Sequence, residues 1–217
     1  MASQGRTLRF LTFVLASASF IYLPGCLGSM NVRVTVTPAL IDKTYPDKRP
    51  VNIGLYLSDE FKNFRYTDST KTLGTTYDFW NVGSESGGMF EVGLSQIFQR
   101  VVAVDRKPPF PVTPPVPLHA VVEPRIEGLA FKVPAVVVQN WSAQIQYRFV
   151  VYSPEGKVIW QKEITGVGEV PGHYTRTLEE LGTNPARPAT AAIIDAADKL
   201  IEAVLASEEM KDLPRRQ

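Results

Sequence analysis

Few residues of this chain have the type and spacing that metal binding or catalysis requires. The sequence contains one cysteine, Cys26, and two histidines, His119 and His173. Neither histidine has a cysteine, a second histidine or an aspartate at the spacing of a zinc site. We therefore expect no bound metal ion.

The other polar side chains that could bind phosphate or act in catalysis also lack the neighbouring residues that these roles need. The glycine-rich stretch 83–88 (GSESGG) could hold a phosphate on helix N–H groups, but it lacks the Lys-Ser/Thr of a phosphate loop. Ser84 has no general base in view. The carboxylates are scattered over predicted strands and loops, as on ordinary solvated faces: Glu123, Glu127, Glu155, Glu163, Glu179 and Glu180. The sequence thus favours a non-enzymatic protein without a cofactor.

The chain begins with the features of an export signal. Arg6 and Arg9 precede an uncharged stretch, 10–23 (FLTFVLASASFIYL), of 14 residues. A secretory signal combines a basic start with an apolar core of roughly 7–15 residues, whereas a membrane-spanning helix needs about 20. We predict a signal peptide that is removed during export.

The apolar core ends in Leu23-Pro24-Gly25-Cys26, which resembles the lipobox of bacterial lipoproteins. Leu23, Gly25 and Cys26 match the family pattern, and Pro24 stands where Ala or Ser is usual. In that family the signal is cut just before the cysteine, and the cysteine sulfur receives a diacylglycerol. The resemblance therefore implies a signal peptide over residues 1–25 and a lipid anchor on Cys26.

The position of Cys26 also bears on the alternatives. A lone cysteine cannot form an intramolecular disulfide, and a free thiol is a liability in an oxidising compartment, so acylation accounts for it best. An ordinary signal peptidase could instead cut after Ala18 and release a soluble secreted protein.

The residue after the cysteine indicates the membrane. In enteric bacteria an Asp after the cysteine retains a lipoprotein in the inner membrane. Because Leu27 stands there, we expect the outer membrane, with the protein facing the periplasm.

The net charge and the length of the mature chain bear on its partners and on its domain organisation. Removal of the signal leaves 21 basic and 22 acidic residues, a net charge of −1, which does not suggest a nucleic-acid partner. The length suits one domain with a proper core. We divide the mature chain into a tether over 26–50 with one candidate strand, a single α/β domain over 51–207, and a frayed tail over 208–217.

Periodicity predicts the elements of this domain. Apolar residues alternate most clearly over 141–152. Pro154 then favours the start of a tight turn into another strand, and Gly156 is expected to adopt a positive φ in that turn. Amphipathic helices are predicted over 84–100 and 188–207. Further strands are predicted at 31–37, 51–57, 101–104, 119–128 and 158–166. We expect an α+β fold, with a single antiparallel-rich or mixed sheet and both helices packed on one face.

Two segments are candidates for a partner surface. The stretch 59–85 holds a third of the 18 aromatic residues of the mature chain. They could pack on the core as an irregular hairpin, or form an exposed patch for a partner. The stretch 107–117 (KPPFPVTPPVP) contains six prolines and is either a stiff connection or a docking strip. The predicted partner residues are Phe61, Phe64, Tyr66, Tyr77, Phe79 and Trp80.

The order of elements on a lipid tether resembles small α/β lipoproteins that serve as auxiliary components of envelope lipid-transport and lipopolysaccharide-assembly machines. The resemblance implies an accessory or scaffold role, with the membrane and either another envelope protein or a lipid as partners. An activator or regulator of a cell-wall enzyme is the alternative, and a stand-alone hydrolase comes third. An activator acting at a distance would need a long tether, and only about 24 residues separate Cys26 from the first well-defined predicted strand. The activator therefore ranks second.

Overall fold

The structure is a computed structural model. It describes residues 28–37, 45, 47–68, 75–112, 114–133, 140–171 and 185–213. The predicted signal peptide and Cys26 lie outside these ranges, so the cleavage and acylation of the chain stay predictions.

The described residues form eight strands and four helices. The strands are β1 Ser29–Arg33, β2 Arg49–Tyr56, β3 Tyr66–Asp68, β4 Thr76–Trp80, β5 Phe98–Val104, β6 Ala120–Lys132, β7 Asn140–Tyr152 and β8 Val158–Pro171. The helices are α1 Asp59–Lys62, α2 Val82–Ile97, α3 Ala186–Ala206 and α4 Glu208–Lys211.

The strands form two mixed sheets. A three-stranded sheet has the order β1-β4-β3, with β1 parallel to β4 and β3 antiparallel to it. A five-stranded sheet has the order β5-β2-β6-β7-β8, in which β2 is parallel to both β5 and β6 while the remaining pairs are antiparallel. The α+β class is confirmed, but the prediction of one antiparallel-rich sheet is wrong.

The connections explain the parallel pairs. Parallel neighbours need a crossover of a dozen residues or more. The connection from β2 to β5 contains α2, which runs directly into β5 at Phe98. The connection from β5 to β6 runs over residues 105–119, includes the proline-rich stretch 107–117, and has no helix among its described residues. Because β2 lies between β5 and β6, this connection crosses β2. Periodicity describes one strand at a time, so it could not indicate which strands these crossovers make parallel.

One face of the five-stranded sheet is covered by α2 and α3. Alternate side chains of β7, from Ala143 to Val151, are buried as the period-two pattern predicts. The ring of Phe90 on α2 packs edge-on against Tyr147 and Phe149, with centroids 5.1 and 4.9 Å away. The Tyr147 hydroxyl also lies 2.7 Å from Ser86 Oγ. Complete burial raises the pKa of Tyr147 far above its ordinary value.

The approach of α3 to β8 depends on two glycines. A Cβ at Gly166 would lie 2.0 Å from the carbonyl oxygen of Ala192, and one at Gly168 would lie 2.0 Å from that of Pro188. No side chain fits between the strand and the helix at these points. Glycine therefore sets the distance between α3 and the sheet.

The three-stranded sheet packs on the far ends of β6 and β7 through aromatic contacts. Phe79 meets Phe131 edge-on at 4.7 Å, and Tyr77 lies 5.3 Å from Phe131 and 6.1 Å from Trp141. Aromatic pairs at these separations add to the stabilisation from burial. Much of the aromatic segment therefore joins the small sheet to the main one.

Candidate functional site

The six predicted partner residues divide into two groups. Phe61, Tyr77 and Phe79 are buried in the core, with Phe79 fully inaccessible, so they offer almost no side-chain surface to a protein partner. The other three residues are half-buried at the edge of the core: Phe64, Tyr66 and Trp80. A partner surface at 61–80 stays a prediction, and these three residues are the ones that could contribute side chains to it.

Two members of the aromatic segment line a polar cleft of about 550 Å³, to which β6 and β7 also contribute residues. Phe61 and Phe64 line this cleft together with Glu123 and Arg125. The cations and carboxylates around this cleft balance in number: Lys107, Arg125 and Arg148 against Glu60, Glu123 and Glu127. The cleft therefore has no net charge that would select a ligand of one sign.

The proline-rich stretch 107–117 is fixed to the sheet at its C-terminal end. Asn52 N–H donates to His119 Nδ1 at 3.1 Å, and His119 N–H donates to Asn52 O at 2.9 Å. The Asn52 side-chain amide donates to Pro117 O at 3.1 Å. Leu118 is buried over Gly54, where a Cβ would lie 3.1 Å from its Cδ1. One of the two histidines thus has a structural role, and His173 lies outside the described residues.

The N-terminal end of the same stretch is fixed by a buried carboxylate and by a turn. Lys107 Nζ lies 3.8 Å from Glu123 Oε1, and the Glu123 side chain is 5% exposed. Pro109 packs against the turn between β7 and β8 at Gly156, whose φ of 90° agrees with the positive value predicted for that position. Both ends of the loop are therefore held, and its central part projects from the sheet.

Glu123 is the centre of an ionic and hydrogen-bonded cluster. Its Oε2 accepts from Tyr152 Oη at 2.7 Å and from Arg125 Nη2 at 2.9 Å. Burial alone would raise the pKa of Glu123, but the bonds from Arg125 and Tyr152 and the charges of Arg125 and Lys107 outweigh burial and lower it. Burial and the adjacent carboxylate raise the pKa of Tyr152 to about 12. Glu123 is therefore ionised at neutral pH, and its carboxylate is both hydrogen-bonded and ion-paired. This arrangement indicates a structural role for the cluster.

An apolar groove of about 550 Å³ lies between β5 and the projecting part of the loop. Val112 is 78% exposed, the highest exposure among the large hydrophobic residues that the structure describes. Asp105 and Arg106 at its end form an exposed ion pair at 3.0 Å. We call this feature the proline-loop groove; it is lined mainly by Val102, Ala103, Val104, Phe110, Val112 and Val116.

The two edges of the five-stranded sheet differ. On β8, Val167 N–H donates to Asp195 Oδ2 at 2.7 Å, and Lys199 Nζ donates to Thr165 O at 2.9 Å. These side chains of α3 occupy backbone groups that another strand could otherwise use. Within the described ranges, no side chain is hydrogen-bonded to the β5 backbone in this way. The β5 edge of the sheet lies beside the proline-loop groove.

Sequence reasoning missed the Glu123 cluster and the role of Asn52. A signal for the first was present, because Glu123 follows Ala120, Val121 and Val122 in a strand whose neighbours are apolar, and a charge there needs a buried partner. No feature of the sequence indicated the role of Asn52, because its hydrogen-bond partner, His119, is 67 residues away.

Two further observations concern only the part of the chain that the structure describes. No helix there is long and apolar enough to cross a membrane. No group of three or more His, Cys, Asp or Glu side chains there is arranged to hold a metal ion.

Known proteins resemble this chain at low identity. No family model matches it, and no curated protein matches it. Among solved structures, it is similar to a Xanthomonas campestris protein of the DUF330 family, with 11% identity and a TM-score of 0.47 over 87% of this chain and 98% of that one. It is also similar to a minor lipoprotein from Acinetobacter baumannii, with 9% identity and a TM-score of 0.40 over 72% and 91% of the two chains. At these scores the similarity assigns neither a family nor a function.

Proposed function

We propose that the chain is a non-enzymatic envelope lipoprotein, anchored by acyl chains on Cys26, that serves as an accessory or scaffold component of an envelope transport or assembly complex. It binds another protein of that complex through the proline-loop groove. The proposal rests first on the export signal and the Leu23-Pro24-Gly25-Cys26 order in the sequence.

The start of the folded domain favours an anchored component over an activator that acts at a distance. β1 begins at Ser29, three residues after Cys26, and three extended residues span at most about 11 Å. The domain would therefore lie against the membrane that holds the anchor. This is a shorter reach than the 24 residues estimated from the sequence, because β1 belongs to the three-stranded sheet.

The observation that carries the binding role is the proline-loop groove. Both ends of its loop are fastened to the sheet, yet Val112 is held out in solvent. An apolar surface that is fixed in position loses little conformational entropy when a partner covers it. Exposed apolar surface of this kind commonly marks a protein interaction site.

Affinity purification from detergent-solubilised membranes tests the proposal with two matched variants. Val112→Asp places a charge in the groove, whereas Val158→Asp places one at an exposed valine outside it, where the side chain is 48% exposed. We expect an envelope protein to be recovered with the wild type and with Val158→Asp, and to be lost with Val112→Asp. Recovery of the same proteins with both variants would remove the groove as the binding site.

A further inference from the structure

A second cleft lies between β1 and α3 and is lined by two arginines and no carboxylate. Its volume is about 600 Å³. Asn31, Arg33 and Thr35 contribute from the β1 side, and Arg187 and Thr190 contribute from α3. We call it the arginine cleft.

The alternation of β1 builds one wall of the arginine cleft. Val32 and Val34 are fully buried in the core, so residues at odd positions face outward. Thr190 Oγ1 donates to Thr35 O at 3.0 Å and joins the two walls. The guanidinium of Arg33 lies 5.1 Å from the centre of the Trp80 ring, and this cation–π contact holds it in place.

Neither of the two carboxylates bonded near the β1 side lines the cleft. Glu85 Oε2 accepts from Val36 N–H at 2.8 Å. Asp78 on β4 is paired with Asn31 and so shares the outer face of the small sheet. Its Oδ1 accepts from Thr67 Oγ1 at 3.1 Å. Thr67 lies on β3, on the opposite side of β4 from β1. The Asp78 carboxylate is therefore engaged away from Arg33.

On the β8 side, the carboxylate of Glu169 does not line the cleft. Val170 lines the cleft, and its neighbour Glu169 points to the opposite face of the strand, within 3.5 Å of the Asn140 amide. The first turn of α3 contains no acidic side chain. Neither Arg33 nor Arg187 forms an ion pair with a carboxylate in the described part of the chain. The lining of the cleft thus carries two positive charges and no negative charge.

Two guanidinium groups beside the Thr35 hydroxyl suit a phosphate. Arginine donates two parallel N–H bonds to phosphate oxygens, and a hydroxyl can donate one more. The positive end of the α3 dipole adds to the same potential. A carboxylate is smaller and would use fewer of these donors, so a phosphate group is the better match.

The distance from the predicted anchor indicates the source of the phosphate. Arg33 is seven residues from Cys26, so the chain between them spans at most about 25 Å. We propose that the arginine cleft binds the phosphate of an anionic phospholipid in the membrane that carries the anchor. This choice of ligand rests on the proposed lipid anchor, whereas the phosphate chemistry rests on the cleft alone.

The test uses the processed protein purified in a neutral maltoside detergent. It is titrated with the short-chain lipids dihexanoyl phosphatidylglycerol and dihexanoyl phosphatidylcholine, and separately with inorganic phosphate. Calorimetry gives the affinity. The variants are Arg33→Gln and Arg187→Gln, and Arg100→Gln on β5 is the matched control, since it also removes an exposed arginine.

We expect the wild type and Arg100→Gln to bind phosphatidylglycerol more tightly than phosphatidylcholine, and each cleft variant to lose about tenfold in affinity. If Arg33→Gln fails to fold, Arg187→Gln decides alone, because its side chain is on the surface. Equal binding of the two lipids, or wild-type affinity in the variants, overturns the proposal. Inorganic phosphate binding as tightly as phosphatidylglycerol overturns the lipid as the source. Val112→Asp should bind lipid normally, so failure of the groove is distinguishable from failure of the cleft.

Discussion

Replacing Gly168 by Ala should push α3 away from the sheet. The new Cβ would lie 2.0 Å from Pro188 O and 2.6 Å from Ala192 N, both backbone atoms that cannot rotate aside. An ordinary contact begins at 3.4 Å, so the helix must move by about 1.4 Å at this point. A gap of roughly 0.5–1 Å already forfeits a quarter to a half of a contact's attraction. We expect a loss of about 3 kcal/mol, the upper part of the usual range for overpacking.

Thermal unfolding measures this effect, with Gly88→Ala as the control. For a chain of this size, about 3 kcal/mol corresponds to a fall in Tm of roughly 6–12 °C. Gly88 is on the exposed face of α2, and a Cβ there would meet nothing within 4 Å. Alanine is the better helix former, so the control should gain about 0.5–1 kcal/mol. If Gly168→Ala had the same Tm as the wild type, the close approach of α3 to β8 would be refuted.

Three further predictions test the core, the buried cluster and the anchor. Changing either Leu94 or Ile201 to Asp should destabilise the protein by several kcal/mol, because both are buried and the new charge has no partner; unchanged melting of both variants would contradict this core. Glu123→Gln should lower the free energy of unfolding at neutral pH by about 1–3 kcal/mol. Because the folded-state pKa of Glu123 is lowered, its contribution is present above the unfolded pKa and is lost as pH falls through the folded pKa; urea unfolding should therefore show the difference between wild type and Glu123→Gln shrinking in acid. Intact mass of the native protein should show an acylated chain beginning at Cys26, and a species beginning at Ser19 with a free thiol would contradict the lipoprotein assignment.

Local pattern was sufficient to predict the longer elements of this fold. The alternation over 141–152 predicted β7, and the apolar stripes predicted α2 and α3 to within three residues at each end. Gly156 was expected at positive φ, and it has it. These features depend on residues close in sequence, where period and turn chemistry act directly.

Pairing over long distances could not be predicted in the same way. The segment expected to be a tether contains β1, which pairs with β4 more than 40 residues later. The aromatic segment lacked a clear period because it includes α1, β3 and β4, three short elements of three to five residues. The arginine cleft could not be predicted for the same reason, since Arg33 and Arg187 are distant in sequence and line one cleft only when β1 and α3 are packed together.

Site-specific photo-crosslinking in intact cells tests the central claim most directly. A benzoylphenylalanine at position 112 would sit in the proline-loop groove, and one at position 158 would sit at an exposed valine outside it. If the protein is an anchored accessory that binds through the groove, position 112 should form an adduct with one membrane-associated protein, and position 158 should not. No adduct at position 112, or the same adduct from both positions, would contradict the claim.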